Sequence, residues 1–312
     1  MVTPTASASA RASQPPRHPQ PPQPAGLPRE LVGLGRTLVF GILNVTPDSF
    51  SDGGRFADEA SAVAAGVALH RSGADVVDVG GESTRPGAER VSAAEERKRV
   101  LPVIAALVAA GVPVSVDTMR AELAADAVAA GAVVVNDVSG GLADPAMLAA
   151  VAGLGVPYVA MHWRGHGWYM DANARYGDVV AEVTAELAER LRACEAAGLA
   201  VERVVVDPGI GFAKLPEHNW ALLRGLERLA GLGRPLFLGT SRKRFLGALL
   251  ADGAAGGGAD ADAAPRPIPQ REAATLATTA LAAAAGVWAV RVHDVAASAD
   301  AVRVAAAWMG AP

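Results

Sequence analysis

This chain has one cysteine, few aromatic residues, no excess of basic charge and no long apolar run, and each scarcity excludes something. The lone Cys194 cannot close an intramolecular disulfide, and its place in the helix-like segment AERLRACEAAG reads as a buried helix position. Aromatics make up 4% of the 312 residues while hydrophobic residues make up 51%, so the core must be built from Ala, Val and Leu. A formal net charge of −4 leaves no basic footprint for nucleic acid. Every apolar stretch is broken by charge or by turn residues, so none reads as membrane-spanning. The default is a cytoplasmic protein.

What the chain has instead is a repeated pattern. Eight short, β-branched runs each end in a polar residue and are followed by a helix-like stretch. They are LVFGILN to Asn44, DVVDVGGE to Glu82, VPVSVD to Asp117, AVVVND to Asp137, VPYVAMH to His162, RVVVD to Asp207, PLFLGTSRK to Lys243 and VWAVRVHD to Asp294. Runs of this kind are strands buried on both faces, and parallel strands need helical crossovers. Eight such units in about 280 residues fit one closed (β/α)₈ TIM barrel, an α/β fold whose C-terminal strand ends meet around a single pocket. The polar terminators are therefore expected to face a common substrate. Gly73, Gly111, Gly131, Gly155, Gly198 and Gly233 each fall where a helix should give way to a strand. Asp144 and Pro145 read as the N-cap and first residue of the fourth helix.

Two segments stand outside this rhythm. Residues 1–28, including VTPTASASARASQPPRHPQPPQPAG, hold almost no large apolar side chain and read as a disordered arm, with the barrel running from 29 to 312. Residues 251–270 are rich in Gly and Asp and read as a flexible insertion between two helical pieces of the last unit.

The strand ends carry the chemistry. Asn44 opens NVTPDSFSDGG, a polar, turn-rich loop that reads as a lid. The second run leads into GGESTRPGAE, where Gly80 and Gly81 permit close backbone approach and Arg85 can present a fork to an anion. Asp117 and Asp207 end apolar strands, and with the amide of Asn136 they would suit a ring carrying several N–H donors. Positive charge gathers late in the chain: Lys243 after the seventh run, and Arg291 with His293, which share a strand face. Barrel phosphate sites are often built after strands seven and eight, so a phosphate or diphosphate is expected there. A surface charge cluster is the bland alternative for those residues.

GILNVTPDSFSDGG, DVGGESTRPGA, VSVDTMRAELA, VNDVSGG, MHWRG, DPGIGFAK, GTSRKRFLG and RVHDV, in this order, resemble the motifs of the dihydropteroate synthases, from about Leu38 to the C-terminus. The resemblance implies a transferase of folate biosynthesis that joins 6-hydroxymethyl-7,8-dihydropterin diphosphate to p-aminobenzoate. It implies that Asp117, Asn136, Met161, Asp207 and Lys243 bind the pterin, and that Asp117, Asp207 and Lys243 carry the catalysis. Asn44, Arg85, Arg291 and His293 would hold the diphosphate, with Asn44 also a ligand to Mg²⁺, the one cofactor implied. Phe50, Thr84, Arg85, Pro86, Phe212 and Lys243 would frame the p-aminobenzoate slot, which sulfonamides also occupy in the family. Thr46, Pro47, Asp48 and Ser83 would join Phe50 and Arg85 in two closing loops. The partners implied are these small molecules and a second copy of the chain, a homodimer formed through 272–286 and 301–308. His162 reads as scaffold and Asp294 as support for the diphosphate site. The sequence departs from the family pattern at Trp163, His166, Trp168 and Arg244.

Overall fold

The computed structural model describes residues 22–45, 59–82, 91–165, 172–251 and 264–310. Within them eight parallel strands alternate with helices. The strands are β1 (Leu38–Asn44), β2 (Val76–Gly80), β3 (Val114–Asp117), β4 (Val134–Asp137), β5 (Tyr158–Met161), β6 (Val204–Asp207), β7 (Phe237–Leu238) and β8 (Ala289–Val292). The helices between and after them are α1 (Glu59–Arg71), α2 (Ala93–Ala109), α3 (Ala121–Ala129), α4 (Met147–Ala152), α5 (Val179–Ala196), α6 (Pro216–Arg224), α7 (Leu226–Ala230), α8 (Arg244–Leu249), α9 (Glu272–Ala284) and α10 (Val295–Trp308). Hydrogen bonding runs β6-β5-β4-β3-β2-β1-β8-β7. A parallel bridge between Val206 and Leu236 joins the two ends and closes the barrel.

Alternation along each strand sorts side chains between two cores. Outward residues such as Val77, Val79, Val116 and Val135 pack under the helices with Val100, Ile104, Leu107 and Leu187. Inward residues fill the N-terminal end of the barrel: Phe40, Val76, Val134, Val159, Val205, Phe237 and Trp288. Phe40 lies edge-on to Phe237 and to Trp288, at 5.0 and 5.6 Å between ring centres. Truncating a core aromatic of this kind to Ala typically costs about 3–5 kcal/mol. Three of the chain's few aromatics thus plug the floor on which the site stands.

Leu31 and Leu27 cap this floor from outside the strands. Ala25 N–H donates to the Glu202 carbonyl at 2.8 Å. The arm boundary expected at residue 28 therefore falls inside a packed segment, because Leu27 and Leu31 supply the apolar surface that closes the barrel's end.

The expected helix-ending glycines all have positive φ, from 69° at Gly233 to 109° at Gly73. One helix start differs. The fourth helix begins at Met147 with Ala146 as its N-cap. The Asp144 carboxylate instead accepts from Ala146 N–H at 2.9 Å and from Ala121 N–H of α3 at 2.8 Å, so it ties two helix starts together. Cys194 is fully buried, and burial pushes its thiol up to about 12, which leaves it a core side chain.

Candidate active site

The residues that end the strands do not all converge. Glu82 lies beyond β2 and pairs with Arg120 at 2.8 Å. Asp137 takes the Tyr158 hydroxyl at 2.7 Å and the Ser139 hydroxyl at 2.7 Å, so it serves the loop after β4. His162 points to Glu186, and Asp294 caps α10 by accepting from Ala297 N–H at 3.3 Å. The physical reason is the pleat. Asn136 and Asp137 are adjacent on β4, and neighbours on a strand face opposite sides, so only one can enter the barrel.

The residues that do converge form one buried charged layer. Register aligns Asn44 with Gly80, Gly80 with Asp117 and Asp117 with Asn136 across β1 to β4. Asp117, Asn136 and Asp207 are 8%, 3% and 6% exposed. Arg291 donates through Nη2 to Asp117 at 2.8 Å and through Nε to Asp78 at 2.6 Å. Asn136 Nδ2 donates to the same Asp78 oxygen at 3.1 Å. Burial pushes the Asp117 carboxyl up to about 7, against the opposing pull of Arg291, while Asp78 adds to the rise. For Arg291 burial lowers the affinity for a proton, but Asp78 and Asp117 outweigh it and raise it.

Asp78 is one residue that sequence reasoning missed, and Lys214 is another. Asp78 sits in mid-strand among valines, fully buried, and a lone mid-strand acid was the signal that could have exposed it.

Opposite this layer stand two lysines. Lys243 reaches its place from the loop after β7, donating to the Ile210 carbonyl and lying 4.6 Å over the Phe212 ring. Burial lowers it to about 8, with Asp207 pulling it back up. Asp207 itself is raised by burial, opposed by Lys243 and by an N–H from Gly209 at 2.7 Å. Gly211 in DPGIGFAK has φ +78°, and a Cβ there would come 2.8 Å from Lys243 Cδ, so the motif needs glycine to admit the lysine. Among the described residues, Ala213 and Arg242 are the non-glycine residues at positive φ, and they flank Lys214 and Lys243. Strained backbone of this kind gathers where side-chain placement is over-determined.

Lys214 is likewise half-buried and lowered to about 7 by desolvation, the nearby Asp207 opposing the shift. It donates to the Phe212 carbonyl at 3.0 Å and to His162 Nδ1 at 3.0 Å. His162 therefore receives on Nδ1 and donates from Nε2 to Glu186 at 2.9 Å. Burial and Lys214 hold His162 down at about 4, so it is neutral at pH 7. Arg164 completes the cluster on Glu186 and stacks 3.9 Å over Tyr176. His162 thus belongs to the scaffold, one layer behind the pocket.

Met161 forms an apolar patch with Met119 and Val138, against which Trp163 and Phe212 pack. His293 Nδ1 lies 2.9 Å from the Ser241 hydroxyl, which orients the ring beside Arg291's strand. Arg244 opens α8, adjacent to Lys243 and electrostatically close to Arg271. Phe50, Thr84, Arg85 and Pro86 lie outside the described residues, as do Thr46, Pro47, Asp48, Ser83, His166 and Trp168 and residues 252–263 of the 251–270 insertion. Among the described residues no group of three or more His, Cys, Asp or Glu side chains could hold a metal by itself. No helix among them is long and apolar enough to cross a membrane.

The His162 assignment sets a pH dependence. Its folded pKa is depressed, so its contribution is present above about pH 6.5 and is lost as pH falls through about 4. Melting temperatures followed from pH 7 to pH 4 should fall more steeply for the wild type than for His162→Gln. Equal slopes would contradict a neutral, doubly bonded His162.

Comparison with known proteins gives the chain its family. The family model described as pterin binding enzyme matches residues 40–293. The dihydropteroate synthase of Mycobacterium leprae is 51% identical over 281 residues, covering 90% of this chain and 96% of that protein. Two solved structures of Xanthomonas albilineans dihydropteroate synthase are similar throughout the barrel. The one with 4-aminobenzoic acid has a TM-score of 0.79 at 46% identity, covering 89% of this chain and 94% of that one. The one in complex with 7,8-dihydropteroate has a TM-score of 0.76 at 44% identity, covering 89% and 95%. With the family model spanning most of the barrel and the Mycobacterium leprae relative matched over nearly its whole length, the chain belongs to the pterin binding enzyme family, as a transferase of the dihydropteroate synthase group.

Proposed function

We propose that this chain condenses 6-hydroxymethyl-7,8-dihydropterin diphosphate with p-aminobenzoate to give 7,8-dihydropteroate and diphosphate. One observation carries the reading: Asp117, Asn136 and Asp207 share a single barrel mouth with Lys243, Arg291 and His293. Two acids and an amide complement the N–H-rich edge of a pterin ring, and Lys243 would meet its carbonyl oxygen. Met161 would lie against the ring face. Arg291 and His293, with Arg85, would hold the diphosphate.

The reaction is a dissociative substitution. The bond between the pterin methylene carbon and the diphosphate oxygen breaks, and its electron pair leaves with the diphosphate. The methylene cation is conjugated with the pterin ring. The aniline nitrogen's lone pair then forms the new C–N bond, and that nitrogen loses a proton. No side chain acts as a nucleophile, so the protein works by positioning and by stabilising separated charge. Asp117 and Asp207 are suited to the cationic ring, and Arg291 and His293 to the developing charge on the leaving group.

Asn44 offers an amide oxygen at the end of β1, a hard donor of the kind Mg²⁺ accepts alongside phosphate oxygens and water. When bound there, Mg²⁺ would neutralise charge on the diphosphate. Phe212 and Lys243 are already stacked, and with Phe50, Thr84, Arg85 and Pro86 they would frame the p-aminobenzoate slot, which sulfonamides would share. A cytoplasmic setting goes with such small, charged substrates.

A homodimer also belongs to this reading. Leu281 on α9 and Val304 and Trp308 on α10 are 69%, 64% and 86% exposed, an apolar face on the two late helices. Sedimentation should show a dimer that Trp308→Glu weakens; a wild-type monomer at micromolar concentration would contradict it.

Purified chain given the pterin diphosphate, p-aminobenzoate and Mg²⁺ should form dihydropteroate, and absence of product would overturn the reading. Asp207→Ala should weaken pterin binding by about 1.5–3 kcal/mol, the value of a charge-assisted hydrogen bond. Calorimetry showing unchanged affinity would remove Asp207 from the pterin site.

A further inference from the structure

Asp78 raises a physical problem that packing alone does not solve. It is 0% exposed in the middle of β2, on the strand face that points into the barrel. Its Oδ2 receives both Arg291 Nε at 2.6 Å and Asn136 Nδ2 at 3.1 Å, while its Oδ1 has no hydrogen-bond partner among the described residues. A buried carboxylate with an unpaired oxygen is costly, and an apolar residue of similar size would serve the core better. A group retained at such cost calls for another explanation. The two side chains it holds are residues to which the proposed function assigns substrate contacts.

Arg291 is shared. Its Nη2 is on Asp117, the same carboxylate that the pterin would need. A substrate that takes Asp117 must displace that Nη2 contact. With Asp117 as its sole anchor, the guanidinium would be freed into a wide mouth. The hold through Nε prevents this, because it fixes the guanidinium plane and leaves both Nη nitrogens to turn outward.

We propose that Asp78 is a positioning residue: it anchors Arg291 through Nε and Asn136 through Nδ2, so that Asp117 can exchange Arg291 for the pterin while the guanidinium stays aimed at the diphosphate. This inference rests on the proposed function, in which Asp117 meets the pterin and Arg291 the diphosphate. Asp78 itself touches neither substrate.

Two simpler roles make opposite forecasts. If Asp78 acted only as a nearby negative charge, neutralising it would strengthen binding of the diphosphate-bearing substrate. If it merely filled the core, its loss would cost the same whatever stood at position 291.

The test is a double-mutant cycle on the full-length chain with Asp78→Asn, Arg291→Lys and the pair, each checked for an unaltered fold by melting temperature and circular dichroism. Asp78→Asn should lower kcat/KM for the pterin diphosphate by about 10–100-fold, the usual cost of losing an outer-layer orienting partner. The KM for p-aminobenzoate should change by less than about twofold. In the Arg291→Lys background the same change should cost less than about threefold, because coupled residues are not additive. Should Asp78→Asn fail to fold, Asp78→Glu, which keeps the charge and shifts the carboxylate by one methylene, takes its place in the cycle with the same expectation. Fully multiplicative losses, a tightened KM for the pterin diphosphate, or an equal rise in the KM for p-aminobenzoate would each overturn the proposal. A wild type that makes no dihydropteroate would overturn the functional reading and this inference together; an active wild type with an additive cycle would overturn this inference alone.

Discussion

The site depends on one guanidinium held between two buried carboxylates. Arg291 joins β8 to β2 through Asp78 and to β3 through Asp117, spanning the barrel mouth between strands that are far apart in sequence. Its pull opposes the burial that raises the Asp117 carboxyl. Breaking a buried pair of this kind by removing one partner typically costs about 3–5 kcal/mol, because a charge is left without compensation. Arg291 is therefore a structural keystone and a substrate-binding candidate at once, and the strength of the network limits how freely it can serve the second role.

The rest of the site distributes charge around that keystone. Asp207 and Lys243 face one another across the loops after β6 and β7, each shifted by burial toward its neutral form and restrained by the other. Lys214 and His162 form a second rank, tied through Glu186 and Arg164 to α5. Beneath both ranks, Phe40, Phe237 and Trp288 close the barrel's interior, so the charged layer rests on a rigid apolar floor. Preorganised charge on rigid elements is what the proposed reaction, which uses no protein nucleophile, would require.

How much of this was legible in the sequence differs from residue to residue. The barrel was, because short β-branched runs with polar ends and helix-ending glycines are local signals, and β1 runs over the same residues as its sequence run. Asp117, Asn136 and Asp207 were found because acids and amides at apolar strand ends stand out. The rule that every terminator faces the pocket was too broad. It ignored the pleat, which turns Asp137 toward Tyr158, and it ignored loop length, since β7 ends at Leu238 and Lys243 arrives five residues later. Asp78 and Lys214 were not found. Their significance lies in which distant side chain each meets, and a partner 213 residues away leaves no mark on local composition.

The pairing of Arg291 with both acids leads to one decisive measurement, a crystal structure of this chain with the pterin diphosphate bound. Arg291 Nε should remain within hydrogen-bond distance of Asp78 while Nη2 has left Asp117, with Asp117 now accepting from the pterin ring and the Nη nitrogens on diphosphate oxygens. A bound pterin with the Arg291–Asp117 pair intact, or an Arg291 that has let go of Asp78, would contradict the account.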